Sequence, residues 1–145
     1  MANLEFHEQV KFINWCITYQ YDEHLPDLDL IFAIPNGANL KKDKNGHSSE
    51  GGKLVKEGLR KGVPDLFLPV PQTRYHGLWI EMKAPEVRHH NTDKIIKRKG
   101  TSTKEQKKWH ERLSALSYKV VVAYGRDEAV SAVLEYYGIE DRKFK

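Results

Sequence analysis

Gly62-Val63-Pro64-Asp65-Leu66-Phe67-Leu68-Pro69-Val70, a turn-rich Pro71 to Gly77, and then Leu78-Trp79-Ile80-Glu81-Met82-Lys83 form the stretch on which the fold turns. Two apolar runs flank a turn centred near Thr73, which reads as a β-hairpin. A hairpin symmetric about Thr73 sets Asp65 opposite Glu81. Alternation along the second strand gives Glu81 and Lys83 one face and Ile80 and Met82 the other. Directly opposed residues have Cβ atoms roughly 4.5–5.5 Å apart, a separation at which like charges destabilise the pair. A divalent cation would offset two carboxylates so placed, with Lys83 to help neutralise the cluster and to address a water.

Upstream of this hairpin, Asn3 is a helix N-cap, and the helix runs to about Tyr19. Phe6, Val10, Ile13 and Ile17 recur at helical spacing, with Phe12 and Trp15 widening the apolar stripe. Glu5 and Glu8 lie one turn apart at its margin, where first-turn acids also suit the helix dipole. Leu28 to Ile34 reads as a strand ended by Pro35-Asn36-Gly37, because proline removes a ladder donor while Asn and Gly accept turn dihedrals. Residues 38–52 hold almost nothing to bury and read as a mobile, basic loop. A short helix from about Glu50 to Arg60 follows, anchored by Leu54, Val55 and Leu59. Its Lys53, Lys56 and Arg60, with Lys61 just beyond, stand where they could hold a phosphate backbone.

Downstream, residues 84–100 are strongly basic, with Lys94, Lys97, Arg98 and Lys99 and no core periodicity beyond Ile95-Ile96, so they read as an excursion from the fold. His89-His90 has no second His or Cys pair at ligand spacing, which argues against zinc. Ser102-Thr103-Lys104-Glu105 has the form of a capping box and opens a helix with Trp109, Leu113 and Leu116 on its apolar face. Gln106 lies on or beside that face. Tyr118 to Tyr124 is Val-rich and apolar on both faces, which predicts a central strand. Arg126-Asp127 then caps a helix with a Val130, Val133, Leu134, Tyr137 stripe, Gly138 ends it, and residues 139–145 read as a disordered tail. The order predicts a single α/β domain, a central mixed β-sheet flanked by helices. No GxxxxGK[ST], GxGxxG or serine-elbow motif is present, so no nucleotide cofactor is expected.

At 145 residues the chain suits one domain with a sizeable core. Cys16 is its only cysteine, and there is neither a secretory leader pattern nor an apolar run near the roughly 18 residues of a membrane span, so a cytoplasmic protein with no membrane partner is expected. The net charge of +4 is clustered at 41–44, 53–61 and 94–108. Clustered Lys and Arg is the footprint of a protein that binds a phosphate backbone. Carboxylate oxygens suit Mg²⁺ or Mn²⁺, which take remaining ligands from water and substrate phosphate. Asp65, Glu81 and Lys83 beside a basic surface therefore describe metal-assisted phosphodiester hydrolysis. An ExK alone is common by chance; Pro-Asp, sixteen residues of hairpin, ExK after an apolar run, an acidic helix and a basic surround together are not.

Pro64-Asp65 followed by Glu81-Met82-Lys83 resembles the PD-(D/E)xK nuclease superfamily, with its restriction-endonuclease-like core. The wider set resembles its virus-type replication-repair nuclease (VRR-NUC) family: Ile34-Pro35-Asn36-Gly37, Glu57 through Leu66, Trp79 through Lys83, Gln106 and the closing Val-rich strand. That resemblance spans roughly Glu5 to Tyr137. It implies an endonuclease dependent on Mg²⁺ or Mn²⁺, similar to stand-alone phage and bacterial members that act as homodimers on branched DNA such as Holliday junctions. It further implies that Asp65 and Glu81 bind metal, that Lys83 serves the attacking water, that Gln106 supports the site and that a first-helix acid completes it. Glu8, followed at helical spacing by Phe12 and Trp15, is the favoured acid, with Glu5 as the alternative. The DNA contacts expected are Asn36, Lys53, Lys56, Arg60, Lys61, Lys94, Lys97, Arg98 and Lys99.

Two departures stand out. The family commonly has two glycines after Pro-Asn, where this chain has Gly37-Ala38, and it passes quickly from ExK to the Gln helix, where this chain interposes residues 84–100. The competing readings are a restriction-like, sequence-specific nuclease and a DNA-binding protein that uses a nuclease-like fold without cleaving.

Overall fold

The computed structural model describes residues 3–35, 44–45 and 49–145. Helix α1 (Leu4–Tyr19) begins as expected, with Asn3 Oδ1 accepting from Phe6 N at 3.2 Å. A single 3₁₀ turn at Leu28–Leu30 leads into a two-residue strand β1 (Phe32–Ala33), so the strand expected from Leu28 is mostly not one. Helix α2 (Ser49–Lys56) is shorter than expected. The hairpin follows as β2 (Leu66–Leu68) and β3 (Leu78–Lys83), and its register of Leu66↔Ile80, Phe67↔Trp79 and Leu68↔Leu78 is symmetric about Thr73. Helix α3 (Lys104–Ala115), strand β6 (Lys119–Tyr124) and helix α4 (Arg126–Tyr137) complete the core.

The main sheet runs β1-β2-β3-β6, with the first two pairings antiparallel and β3–β6 parallel. It is a mixed sheet flanked by helices, as the element order predicts. The Val-rich β6 is nevertheless at the edge of that order, and β2 and β3 are the inner strands, β3 pairing with β6 over Leu78–Lys83 and with β2 over Leu78–Ile80. The valines of β6 are half-buried on both faces, because helices rather than further strands cover them.

One sheet face, formed by Leu66, Leu68, Leu78, Ile80 and Met82, is packed by Phe12, Trp15 and Cys16 of α1 and by Ala129, Val130, Val133 and Leu134 of α4. This corrects the expected stripe of α1: Phe6, Val10 and Ile17 are 55%, 41% and 55% exposed. Helical spacing admits either stripe, and the larger aromatic one is buried, where it gains most from leaving water. The opposite face stacks Phe67 on Trp79, ring centroids 4.2 Å apart, and carries Glu81 and Lys83 further along the same strand.

Two segments expected to lack structure have it. Residues 84–100 form a second hairpin, β4 (Val87–Arg88) with β5 (Ile95–Lys97), turned by Asp93 at φ 55° and closed at its base by Gly100 N donating to Ala84 O at 2.9 Å. Arg88 ties it internally through Glu86 Oε1 at 2.6 Å and Asp93 O at 3.1 Å. The tail ends in a 3₁₀ turn that buries Phe144, whose carbonyl accepts from Trp15 Nε1 at 2.5 Å. Among the described residues no helix is long and apolar enough to cross a membrane.

Candidate active site

Asp65 lies one residue ahead of β2, so continuing the observed register sets it opposite Glu81, as the symmetry of the hairpin requires. Three ionisable side chains are buried at this spot, Asp65 at 8%, Glu81 at 0% and Lys83 at 7% exposed. Charged residues are almost never this buried unless paired. Asp65 is held from two sides: its Oδ2 accepts from Met82 N at 2.7 Å, and its carbonyl accepts from Ile34 N at 2.7 Å.

Glu81 has no such support. Among the described residues no N–H or hydroxyl donor reaches either of its carboxyl oxygens, the Lys83 ammonium stands 3.9 Å from Oε1, too far for a hydrogen bond, and the neighbour it has is another acid, Asp65. Burial first, and then the neighbouring Asp65 carboxyl, push Glu81 up to about 9. An acid left this way is neutral at pH 7 unless a cation is brought to it.

Lys83 is oriented by α3. Its Nζ donates to Gln106 Oε1 at 3.0 Å, and the same oxygen accepts from Thr103 N at 2.8 Å while Thr103 Oγ1 accepts from Gln106 N at 3.2 Å. The capping box is therefore Thr103-Lys104-Glu105-Gln106, one residue later than the expected Ser102 start. The glutamine that begins the helix also anchors the lysine, so the position of α3 fixes the position of Nζ. A close approach at Gly62 sets that helix against the hairpin: at φ 93°, a Cβ there would lie 2.7 Å from the Glu105 carbonyl carbon. Trp109 Nε1, donating to Lys61 O at 2.9 Å, clamps the same junction.

The first-helix acid is where the structure departs from expectation. Glu8 does not point at the pair: its Oε2 accepts from Arg126 N at 2.7 Å, capping the first turn of α4, and its Oε1 meets Lys11 Nζ at 3.2 Å. Gly125, the N-cap of α4, has no side chain to do this, and the expected Arg126-Asp127 cap is not formed. Glu5, one turn earlier, is half-buried and near enough to the cluster to feel its charges. Burial first, and then the Asp65 charge, raise its pKa, and the Lys83 charge opposes them. Its α1 position was legible in the sequence, but which of two acids one turn apart looks inward depends on which apolar stripe is buried.

Among the described residues no three His, Cys, Asp or Glu side chains are gathered to hold a metal ion. The pair does fit one: Glu81 has two buried oxygens that no N–H or hydroxyl donor among the described residues reaches, beside Asp65. Mg²⁺ is commonly held by one or two carboxylates, with water and substrate phosphate completing its shell. Asp65 and Glu81 would hold it, with Glu5 the nearby third acid.

The basic residues fall into two groups. Lys53 and Lys56 are exposed on α2, and Arg60 and Lys61 lie on the exposed chain leading to Asp65. Lys94, Lys97, Arg98 and Lys99 are exposed on or beside the second hairpin. That hairpin reaches the site: Lys99 Nζ sits 4.6 Å from the Tyr124 ring centroid, Tyr124 is the ladder partner of Lys83, and a Cβ at Gly100 would be 3.3 Å from the Lys83 side chain. Asn36 lies outside the described residues. His110, one turn after Gln106, was not singled out in the sequence. It is half-buried, its Nε2 is buried with no hydrogen-bond partner among the described residues, and the charges of Lys83 and Asp65 both act on its ring.

A family model described as the VRR-NUC domain matches residues 5–127. A solved structure described as a "VRR_NUC domain protein" is similar to this chain at 26% identity and a TM-score of 0.66, over 97% of this chain and 93% of that one. No curated protein matches at a significant level.

Proposed function

The chain belongs to the VRR-NUC family, whose fold is of the nuclease type, and from that premise we propose that it is an endonuclease dependent on Mg²⁺ or Mn²⁺ that hydrolyses phosphodiesters in branched DNA. The observation that carries the reading is Glu81, whose two buried carboxyl oxygens meet no N–H or hydroxyl donor among the described residues, beside Asp65 and two residues from a lysine fixed by Gln106. Structural ion pairs satisfy their members; this arrangement leaves one unsatisfied, as a cation site requires.

In this mechanism Asp65 and Glu81 would hold the cation, Asp65 being fixed in place through Oδ2 by Met82 N. When bound there, a divalent cation supplies charge stabilisation for the phosphoryl transition state and a more acidic water. Lys83, held by Gln106 Oε1, keeps an ammonium hydrogen bond available to orient the water and to balance charge on the phosphoryl oxygens. Glu5 adds negative charge from α1. The exposed lysines of α2 and of the second hairpin bind the DNA backbone and account for most of the affinity, which falls with salt.

A homodimer belongs to the same reading, because symmetric cutting of two strands is served by a twofold axis. Supporting it, Phe6, Val10, Ile13 and Ile17 follow the four-three-four spacing of a helix-pairing seam, and three of them are exposed. Sedimentation of the wild type and of Ile17→Glu tests this part. A dimer that Ile17→Glu does not weaken would remove the support.

The assay for the whole proposal incubates a four-way junction, a flap, linear duplex and single strands with Mg²⁺, Mn²⁺ or EDTA, beside Asp65→Asn. Metal-dependent cleavage favouring a branched substrate is expected, and Asp65→Asn should lower it at least 100-fold. Failure to cut any substrate, or full activity in the variant, would overturn the assignment.

A further inference from the structure

His110 lies one helical turn beyond Gln106 on α3, and residues four apart share a helix face. Gln106 meets the Lys83 ammonium, so His110 is on the side of α3 that looks at the buried cluster. Its Nε2 is buried and has no hydrogen-bond partner among the described residues. A buried polar atom without a protein partner is uncommon and needs a reason, of which water or a catalytic role are the usual ones. A water held at such a place needs two to four polar partners. The charges of Lys83 and Asp65 both act on the ring, so the Lys83 ammonium as a donor and the Asp65 carboxyl as an acceptor are the partners such a water would share with His110 Nε2.

We propose that His110 is a further residue of the active site, whose Nε2 accepts a hydrogen bond from the water addressed by Lys83 and so fixes the direction in which that water presents its lone pair. The proposal rests on the nuclease reading and adds to it a residue outside the acidic pair and the ExK lysine. Electrostatics agree with the placement: burial and the Lys83 charge both lower the proton affinity of the ring, with Asp65 opposing, so the imidazole is held in the neutral form that has an acceptor nitrogen. Gln106 and His110 then act as two stations on one helix, one holding the lysine and the other the water that the lysine addresses. No bond to His110 forms or breaks; its contribution is orientation.

The experiment compares His110→Leu, which removes the acceptor, with His110→Gln, which keeps a neutral one, using kcat and KM on the preferred DNA and thermal melting of each variant. His110→Leu should lower kcat by 10- to 100-fold with KM and DNA affinity within twofold of wild type, and His110→Gln should recover most of the loss. Full kcat in His110→Leu, or equal loss in both variants when both melt as wild type does, would overturn the proposal. A second arm needs no activity: ¹⁵N NMR of the His110 ring is recorded in wild type and in Lys83→Met. An Nε2 resonance that moves in Lys83→Met supports the placement, and an unmoved one overturns it. If wild type cuts no DNA in any metal, the nuclease reading fails by itself, and the NMR arm still decides whether His110 and Lys83 share a site.

Discussion

Glu81 concentrates the physical tension of this protein in a single side chain. Folded, it keeps its proton to about pH 9, against an ordinary value near 4.5. Between those limits the folded state holds a proton that the unfolded state has released, so rising pH lowers stability, by up to about 1.4 kcal/mol per pH unit from this group. Urea midpoints in EDTA should therefore fall from pH 5 to pH 8 in wild type, and Glu81→Gln should flatten that fall; an equal slope in the variant would locate the effect elsewhere. Mn²⁺ at pH 8 is expected to raise the wild-type midpoint and to leave that of Glu81→Gln unchanged. Gln106 is the second decisive residue, since its one oxygen serves both Thr103 N and Lys83 Nζ. Gln106→Ala should cost about 1 kcal/mol through the lost cap, and a larger proportional loss in kcat through the released lysine. Melting that falls without a greater fall in kcat would show the glutamine to be a cap and nothing more.

At the scale of elements, α1 carries two apolar stripes and the fold uses one. Phe12→Ala, in the buried stripe, is expected to destabilise by about 3–5 kcal/mol. Phe6→Ala, in the exposed one, should change monomer stability by less than about 0.5 kcal/mol, as read from denaturation at low protein concentration. The second hairpin is an element whose side chains are almost all exposed, and while Arg88 and Lys99 are engaged within the fold, Lys94, Lys97 and Arg98 extend from its surface toward solvent. Removing Lys94, Lys97 and Arg98 together by alanine should leave melting unchanged, weaken DNA binding and reduce the slope of log affinity against log salt by roughly 2–3. An unchanged slope would take DNA off this hairpin. Its short strands escape a periodicity reading because Val87-Arg88 and Ile95 to Lys97 are too brief to show alternation, and no buried face imposes one.

In the molecule as a whole, the last residues close the core that the first helix opens: Phe144 is buried against Trp15 and Tyr19, and the Tyr19 hydroxyl donates to Lys143 O at 3.2 Å. Deleting 141–145 should lower the melting temperature by several degrees, in line with the loss of a buried aromatic; an unchanged melt would return those residues to the status of a tail. The sequence by itself determined the hairpin, its register about Thr73, the Asp65–Glu81–Lys83 set and the α/β order. These follow from local rules, since alternation and turn chemistry act over a few residues and the pairing of a hairpin is set by its turn. Tertiary packing settled which stripe of α1 is buried, and with it that Glu5 comes under the Asp65 and Lys83 charges while Glu8 caps α4. It alone joined Gln106 to Lys83, and brought the His110 ring under the Lys83 and Asp65 charges. Helical periodicity states which residues share a face but not which face turns inward, and that choice belongs to packing among elements distant in the chain.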